Sequence, residues 1–296
     1  MTLFRSSKTA MIAADITLLL VAAIWGGGFI AAKEALTTMT PFGILSTRFL
    51  LSSAVLLILF FPAIRTCSKK DIQFGVIIGI IQYISFMFQL KGLALTTVEK
   101  QSFLVTAYVI FVPFFSWIAT RKAICRRDVL CALLAFVGLG LLCLHSGNFM
   151  PNTGDLLSLG FAVGFAVQIV YVGNFVKNAN IFAMTCIQFL TTGLLALPFL
   201  DVSGLLAADT AAIYGIAYLV IFNTAFAFSA QNIAQQYTTD SHASLLISLE
   251  SVFGFLLAVW FYQDAVTLQE LCGCTLMMTA IILSKLSGKK LTISAK

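Results

Sequence analysis

One acidic side chain, Glu250, lies in the middle of residues 237–262, an apolar stretch long enough to cross a lipid bilayer. A carboxylate at that depth costs about 2.5–3.5 kcal/mol on insertion scales unless it finds a partner, water or a proton. Acids in such places commonly serve a substrate or ion pathway; the structural alternative is a hydrogen bond that only holds helices together. Glu250 is therefore the first candidate functional residue.

Other polar and aromatic residues within apolar stretches extend this candidate site. Arg48 either reaches toward the membrane surface, binds a substrate carboxylate or pairs with Glu250. Trp25 stands beside three glycines, which favour close helix packing or a hinge. Helical phase and repeat symmetry predict one shared central space, lined by Trp25, Arg48, Gln82, Tyr108, Gln168, Tyr171, Asn223 and Glu250.

No motif of hydrolytic, redox or metal chemistry accompanies these residues. The sequence contains no HExxH, no GxSxG and no phosphate-binding glycine loop after a strand. Its two histidines lie near predicted helix ends, and its seven cysteines show no CxxC spacing. We therefore predict no catalytic residue, no metal ion and no cofactor, and a protein that is not an enzyme.

The composition is that of a membrane protein. Apolar residues make up 60% of the chain, charged residues only 10%, and the mean hydropathy is +0.99. Soluble proteins have about 25% charged residues, so a soluble globular domain is excluded. The net charge of +6 resides in loops between apolar stretches, where it orients helices in the bilayer. A nucleic-acid partner is not expected.

The apolar stretches predict ten membrane-spanning helices in one membrane domain. Their approximate bounds are 15–35, 41–62, 72–95, 98–119, 128–146, 154–176, 181–200, 210–233, 239–262 and 267–286. Lysine and arginine are concentrated in alternate loops, which predicts that both termini are cytoplasmic. The loop at 121–127 is then cytoplasmic as well.

The second half of the chain resembles the first. Two matches share a separation of about 141 residues: 102–115 with 244–256, and 130–134 with 271–275. Tyr108 thereby corresponds to Glu250. Halves 1–146 and 147–296 would each hold five spans, and because five is odd the halves must lie in opposite senses. Inverted repeats are typical of secondary transporters, whose substrate site lies between the halves near the membrane midplane.

Five segments in the same order resemble the drug/metabolite transporter superfamily, in its EamA-like branch. They are AAIWGGGFIAAKEAL at 22–36, the Arg48-Phe49 pair after Pro41, SFLVTAYVIFVP at 102–113, GDLLSLGFAVGFAVQIVY at 154–171 and ASLLISLESVFGFLLAVWFYQD at 243–264. The resemblance implies two inverted five-helix repeats, a central cavity and transport of small metabolites or drugs across the plasma (inner) membrane. The family's Glu-Pro pair reads Glu250-Ser251 here, which predicts a straighter helix, and Asp264 replaces a common glutamate.

Together these observations predict an all-α integral membrane protein that acts as a secondary transporter. It would export or facilitate the movement of amino-acid-like or amphipathic compounds by alternating access. Its expected partners are a small-molecule substrate and the lipid bilayer, and its expected state is a monomer or a homodimer. An intramembrane hydrolase or transferase, and a non-transporting scaffold or sensor, are the alternatives.

Glu250 has two candidate roles under this prediction. It could carry a proton that couples to substrate movement, loading from one side and releasing on the other. It could instead stay ionised and bind the ammonium group of an amino-acid-like substrate while Arg48 binds the carboxylate.

Overall fold

The computed structural model describes residues 8–121, 125–143, 152–262 and 266–291, and within these ranges it contains helices and no strand. The first half holds α1 (Lys8–Ala35), α2 (Pro41–Ile64), α3 (Lys69–Leu95), α4 (Val98–Thr106), α5 (Tyr108–Thr120) and α6 (Arg126–Cys143). The second half holds α7 (Thr153–Phe175), α8 (Ile181–Ala196), α9 (Val202–Leu206), α10 (Thr210–Tyr218), a π-helical segment (Leu219–Phe226), α11 (Ala227–Ala234), α12 (Asp240–Ile247), α13 (Glu250–Tyr262) and α14 (Leu268–Leu291).

Seven helical stretches of the described residues are long and apolar enough to cross a membrane. They are Thr9–Ala35, Pro41–Ile64, Lys69–Leu95, Lys100–Thr120, Thr153–Phe175, Ile181–Phe199 and Thr210–Ala234. The chain is therefore a multi-pass membrane protein. Ten spans remain a prediction, since α6 begins with three charged residues, α12 and α13 are separated by a break, and the apolar part of α14 is short.

Polar side chains define where the membrane helices begin. At the start of α3, Ser68 and Asp71 form a reciprocal capping box, with the Asp71 N–H 3.2 Å from Ser68 Oγ and the Ser68 N–H 2.8 Å from Asp71 Oδ2. Asn152 and Asp155 repeat this arrangement at the start of α7. Such caps satisfy the N–H groups that the first helical turn leaves unpaired.

The two halves make matching contacts. α6 packs on α14, and α2 packs on α8. α1 of the first half packs on α13 of the second half. The equivalent helices make the reciprocal contact, since α7 of the second half packs on α5 of the first. Likewise α3 packs on α7, while α10 and α11 pack on α1. Reciprocal contacts between equivalent helices are expected for a chain built from two similar halves.

Close helix crossings occur at glycine. A Cβ atom at Gly26 in α1 would lie 2.7 Å from both the Glu250 carbonyl oxygen and the Gly254 amide nitrogen of α13. At the α6–α14 crossing, a Cβ at Gly138 would lie 2.7 Å from the Gly273 carbonyl oxygen. Only a residue without a side chain permits backbones to approach this closely. The packing interpretation of the α1 glycines is thus supported by these distances.

The helix that carries Glu250 is interrupted, contrary to the straighter helix predicted from its missing proline. α12 ends at Ile247 and α13 begins at Glu250. Serine hydroxyls supply the physical reason, because Ser244 Oγ donates to the Ser241 carbonyl at 2.9 Å and Ser248 Oγ to the Leu245 carbonyl at 2.8 Å. Such back-bonding competes with the helical ladder and bends helices. The first half has the equivalent break between α4 and α5.

Candidate functional site

A small cavity lies between the two halves, bounded by α1, α2, α3, α7, α11, α13 and the π-helical segment. Its volume is about 40 Å³. Since a cavity needs about 10–15 Å³ on this measure to hold one water molecule, there is room for a few waters and no room for a metabolite. Its polar lining consists of Trp25, Arg48, Gln89, Asn223 and Glu250, and most of the remainder is phenylalanine and leucine.

Arg48 is held in this cavity by neutral groups. Its side chain is 4% exposed, its Nη2 donates to Asn223 Oδ1 at 2.6 Å, and its Nε donates to Thr224 Oγ1. The guanidinium also lies over the rings of Phe49 and Phe86, 5.2 and 5.1 Å from their centroids. No carboxylate of the described residues comes within 4.0 Å of it. A buried cation with only neutral partners is a ready site for a ligand anion.

The π-helical segment positions Asn223 and exposes carbonyl groups to side-chain donors. Trp25 Nε1 donates to the Asn223 carbonyl at 2.9 Å, and Ser52 Oγ donates to the Val220 carbonyl at 2.9 Å. Segments of π-helix are rare and are frequently found at functional sites. Here the wider turn places Asn223 and Thr224 together on Arg48.

Glu250 is the first residue of α13, directly after the break. Its side chain is 5% exposed, and Oε1 lies 3.3 Å from the Tyr108 hydroxyl and 3.2 Å from the Thr106 hydroxyl. Tyr108 is likewise the first residue of α5, so the repeat-related breaks meet at this carboxyl group. The N-terminus of α13 favours negative charge at this point.

A chain of hydroxyl groups continues from Glu250 along the contact between the two breaks. Ser251 Oγ lies 3.1 Å from Thr106 Oγ1 and accepts a hydrogen bond from Ser102 Oγ at 2.9 Å. All three hydroxyl-bearing residues are buried. Ser251, where the family resemblance led us to expect a proline, therefore takes part in the polar network beside Glu250.

The eight predicted site residues do not all share one space. Trp25, Arg48, Asn223 and Glu250 line the cavity, and Tyr108 touches it through Glu250. Gln82 instead pairs with Gln188 of α8. The three that lie away from the cavity are Gln82, Gln168 and Tyr171. Helical phase predicts which face of a helix a residue occupies, but it gives no information about depth along the bundle.

Tyr171 is one of the three predicted residues that lie away from the cavity. It packs on Phe175 with ring centroids 4.4 Å apart, next to a small separate apolar cluster that includes Val172 and Ile78. It lies near the end of α7, well beyond the cavity-lining Phe165. A binding role for the eight predicted residues stays a prediction.

Several site residues were not among the eight predicted ones. Gln89 lines the cavity, and it shares a polar stripe of α3 with Gln82, which is the signal that could have found it. Thr106 and Thr224 contact Glu250 and Arg48 respectively. Neither could be singled out from spacing, because each depends on a helix break or a π-helical turn.

A separate, wider recess lies at one end of the bundle. Its volume is about 270 Å³, and it is lined by the end of α1, the start of α2 and Ala94. Ala32 and Leu93, which line the cavity, lie next to it in sequence. We call this end, which holds the connections 36–40 and 96–97, the cavity end. The opposite end, with connections 65–68 and 235–239, is the far end.

Side chains close the far end. His242 of α12 bridges Asp15 of α1 and Ser284 of α14, with Nε2–Oδ1 and Nδ1–Oγ distances of 3.2 and 3.1 Å. Ser116 of α5 donates to Asp240 Oδ2 at 3.1 Å. These contacts link helices of both halves at the far end.

Among the described residues, no group of three or more histidine, cysteine, aspartate or glutamate side chains could hold a metal ion. The prediction of no metal and no cofactor remains a prediction for the chain as a whole.

Comparison with known proteins agrees with this architecture. The EamA-like transporter family matches the chain twice, at residues 12–144 and 152–286. An uncharacterized transporter of Archaeoglobus fulgidus is 32% identical over 274 residues, 92% of this chain and 86% of the relative. A second uncharacterized transporter of that organism is 23% identical over 268 residues, 90% of this chain and 96% of the relative.

A protein of known crystal structure shares the fold, with a TM-score of 0.76 at 17% identity over 97% of this chain and 99% of that one. The double match covers both halves of the chain, in agreement with the repeated helix breaks and exchanged helix contacts. The chain belongs to the EamA-like transporter family.

Proposed function

We propose that this protein is a secondary transporter of small zwitterionic metabolites, such as amino acids or related amphipathic compounds, and that it works by alternating access. The family and the names of the relatives support a membrane transporter. The substrate class is our inference from the cavity.

One observation carries this inference. Arg48 and Glu250 line the same buried cavity, yet each is held by neutral partners and no ion pair joins them. Burying opposite charges without pairing them is costly, and the cost is offset when a ligand supplies the missing charges. An amino acid offers a carboxylate for Arg48 and an ammonium group for Glu250.

The closed cavity supports alternating access. A volume of about 40 Å³ is too small for an amino acid, so substrate entry requires the helices around the cavity to part. The breaks before Tyr108 and Glu250 and the π-helical segment are the interrupted elements that transporters of this kind place at the substrate site. Their movement would widen the cavity toward one end at a time.

We further propose export across the plasma membrane with both termini in the cytoplasm. The one-sided distribution of lysine and arginine supports this orientation, since cytoplasmic loops are enriched in both residues. The cavity end would then face outward and the far end would face the cytoplasm.

Flux measurements in inside-out vesicles test the proposal, because uptake into such vesicles corresponds to export from the cell. Vesicles with and without the protein are given a panel of labelled amino acids, decarboxylated amines and deaminated acids. We expect protein-dependent uptake of one or more zwitterions and little uptake of their singly charged analogues.

Uptake confined to compounds with one charge would contradict the zwitterion assignment. Chemical conversion of a panel member, found by mass spectrometry, would favour an intramembrane enzyme. No flux of any member beyond that of protein-free vesicles would favour a scaffold or sensor.

A further inference from the structure

A second set of buried polar side chains lies on the far side of the cavity. We call it the glutamine cluster, and its members are Gln82, Gln168, Gln188, Gln231, Asn232 and Gln235. Each is at most 1% exposed. They belong to α3, α7, α8 and α11, with Gln235 directly after α11, and none of them lines the cavity.

Hydrogen bonds tie several members of this cluster to one another or to a neighbouring helix. Gln188 Nε2 donates to Gln82 Oε1 at 2.9 Å, and Asn232 Nδ2 donates to Thr185 Oγ1 of α8 at 2.9 Å. Gln231 donates to Gln235, which in turn donates to the Ile169 carbonyl of α7 at 3.0 Å. The cluster therefore spans the interior of four packed helices.

The cluster is nevertheless far from satisfied by protein partners. Within the described residues, neither Gln168 Nε2 nor Gln168 Oε1 has a hydrogen-bond partner, and the same holds for one amide atom each of Gln82, Gln188, Gln231 and Asn232. Buried amides almost always find protein or water partners, so a group of this size points to a polar ligand or to water. A structural core of helices would use apolar residues here.

A layer of aromatic rings separates the cluster from the cavity. Phe86, Phe165 and Phe228 line the cavity, and Phe86 packs on Phe228 with centroids 5.9 Å apart. About one turn from each of these rings toward the far end stands a member of the cluster. The positions are Gln82 on α3, Gln168 on α7 and Gln231 on α11. The cluster thus continues the line of the cavity toward the far end.

The repeat relates the cluster to the cavity residues themselves. Gln188 lies as far from the start of α8 as Arg48 lies from the start of α2. Likewise, Gln82 lies as many residues after the start of α3 as Asn223 lies after the start of α10. The Gln188–Gln82 hydrogen bond is accordingly the counterpart of the Arg48–Asn223 hydrogen bond.

We propose that the glutamine cluster is the closed half of the translocation route. It would be a neutral hydrogen-bonding station that admits water and substrate from the far end when the far-end contacts open, and that passes substrate to the cavity when the aromatic layer parts. The inference rests on the proposed transport function. The cluster contains no charged side chain, so it would bind the substrate through hydrogen bonds more weakly than Arg48 and Glu250 do. A weakly binding station on the cytoplasmic side lets the substrate pass on to the charged cavity.

Cysteine accessibility tests this proposal without any substrate. In a background with all seven native cysteines replaced, Gln168→Cys is compared with Ile169→Cys, its fully buried apolar neighbour. The probe is 2-aminoethyl methanethiosulfonate, added to inside-out vesicles. We expect Gln168→Cys to react at least about tenfold faster, because even a minor open state exposes it to water. The additional change Asp15→Asn, which weakens the far-end contact with His242, should raise the Gln168→Cys rate further.

Equal rates at Gln168→Cys and Ile169→Cys in both backgrounds would overturn the proposal. Gln188→Cys and its neighbour Phe189→Cys provide a second pair in case Gln168→Cys does not fold, with the same expected difference. If the cluster cysteines react but the protein transports no zwitterion, the proposed substrate class is wrong and the role of the cluster stands. If the protein transports zwitterions but the cluster cysteines do not react, the role of the cluster is wrong and the substrate class stands.

Discussion

Glu250 takes its importance from its immediate neighbours. It accepts hydrogen bonds at the start of α13, facing Tyr108 and Thr106 from the other half, while Arg48 across the cavity is bound by Asn223 and Thr224. Two residues of the opposite half thus orient each charged group. Polar networks of this kind, when buried, fix side-chain geometry tightly.

Removing the Tyr108 hydroxyl tests whether this orientation matters. Tyr108→Phe keeps the ring that packs on Phe165 but deletes the donor to Glu250. We expect transport to fall about five- to tenfold, in line with about 1–1.5 kcal/mol for one hydrogen bond. The matched control is Tyr171→Phe, which lies away from the cavity and should change flux less than twofold. Equal effects of the two substitutions would argue against the role of Tyr108.

Asp201 offers a pH test outside the membrane-spanning helices. Its carboxylate accepts hydrogen bonds from the Gly204 N–H at 2.8 Å, the Thr40 N–H at 2.9 Å and Ser203 Oγ at 3.0 Å. These bonds, that from Gly204 foremost, lower the pKa of Asp201 below its ordinary value of 3.8. A depressed pKa stabilises the fold above the unfolded value, and that contribution is lost as pH falls through the folded one.

The expected result is a lower Tm for Asp201→Asn than for the wild type at pH 6, measured on detergent-solubilised protein. The difference should shrink as the pH is lowered below 3.8. A difference that stays constant down to acidic pH would show that charge on Asp201 does not stabilise the fold.

The sequence predicted the chemistry of individual residues better than their depth. Glu250, Arg48, Asn223 and Trp25 were identified because polar and large aromatic groups stand out within apolar helices. Gln82 and Gln168 were predicted for the same space, but the aromatic layer separates them from it. Periodicity reports the face of a helix, whereas position along the bundle depends on how neighbouring helices are registered.

At the scale of elements, two helix breaks and the π-helical segment position the site residues. The α4–α5 and α12–α13 breaks present Tyr108 and Glu250 at new helix starts, and the π-helical segment presents Asn223. The repeat matches predicted that Tyr108 and Glu250 correspond. The breaks themselves were not predicted, because serine back-bonding and π-helical turns leave no strong pattern in a single sequence.

Close packing of α1 on α13 keeps the second of these breaks in place. Gly26→Ala would put a methyl group 2.7 Å from backbone atoms of Glu250 and Gly254, which cannot move independently. We expect a loss of about 1–3 kcal/mol in unfolding free energy, seen as a lower Tm. At Gly160 the added methyl meets only the ring of Phe88, at 3.2 Å. Gly160→Ala should therefore be nearly neutral, and an equal loss at both positions would contradict this explanation.

At the scale of the whole molecule, the two halves build one site. Arg48 is bound by Asn223 and Thr224 of the second half, and Glu250 is bound by Tyr108 and Thr106 of the first. Any movement of one half against the other must break or remake these bonds. The halves can therefore sense the same bound substrate, as alternating access requires.

Orientation in the membrane can be measured with Cys125, which is exposed beside the basic residues that start α6. In a background lacking the other cysteines, we expect an impermeant maleimide to label it only after permeabilisation of cells. Labelling of intact cells would place this end outside and reverse the proposed direction of export.

The central claim is that Glu250 contacts the transported zwitterion, and Glu250→Gln tests it most directly. In proteoliposomes we compare uphill transport with counterflow exchange of the same substrate for the wild type, Glu250→Gln and the control Glu270→Gln, whose site lies on α14 away from the cavity. Glu250→Gln should lower both activities by about tenfold or more, because it loses a charge-assisted bond of about 1.5–3 kcal/mol. Loss of uphill transport with retained counterflow would indicate proton coupling instead, and normal activity in both assays would make Glu250 a structural residue and contradict the account.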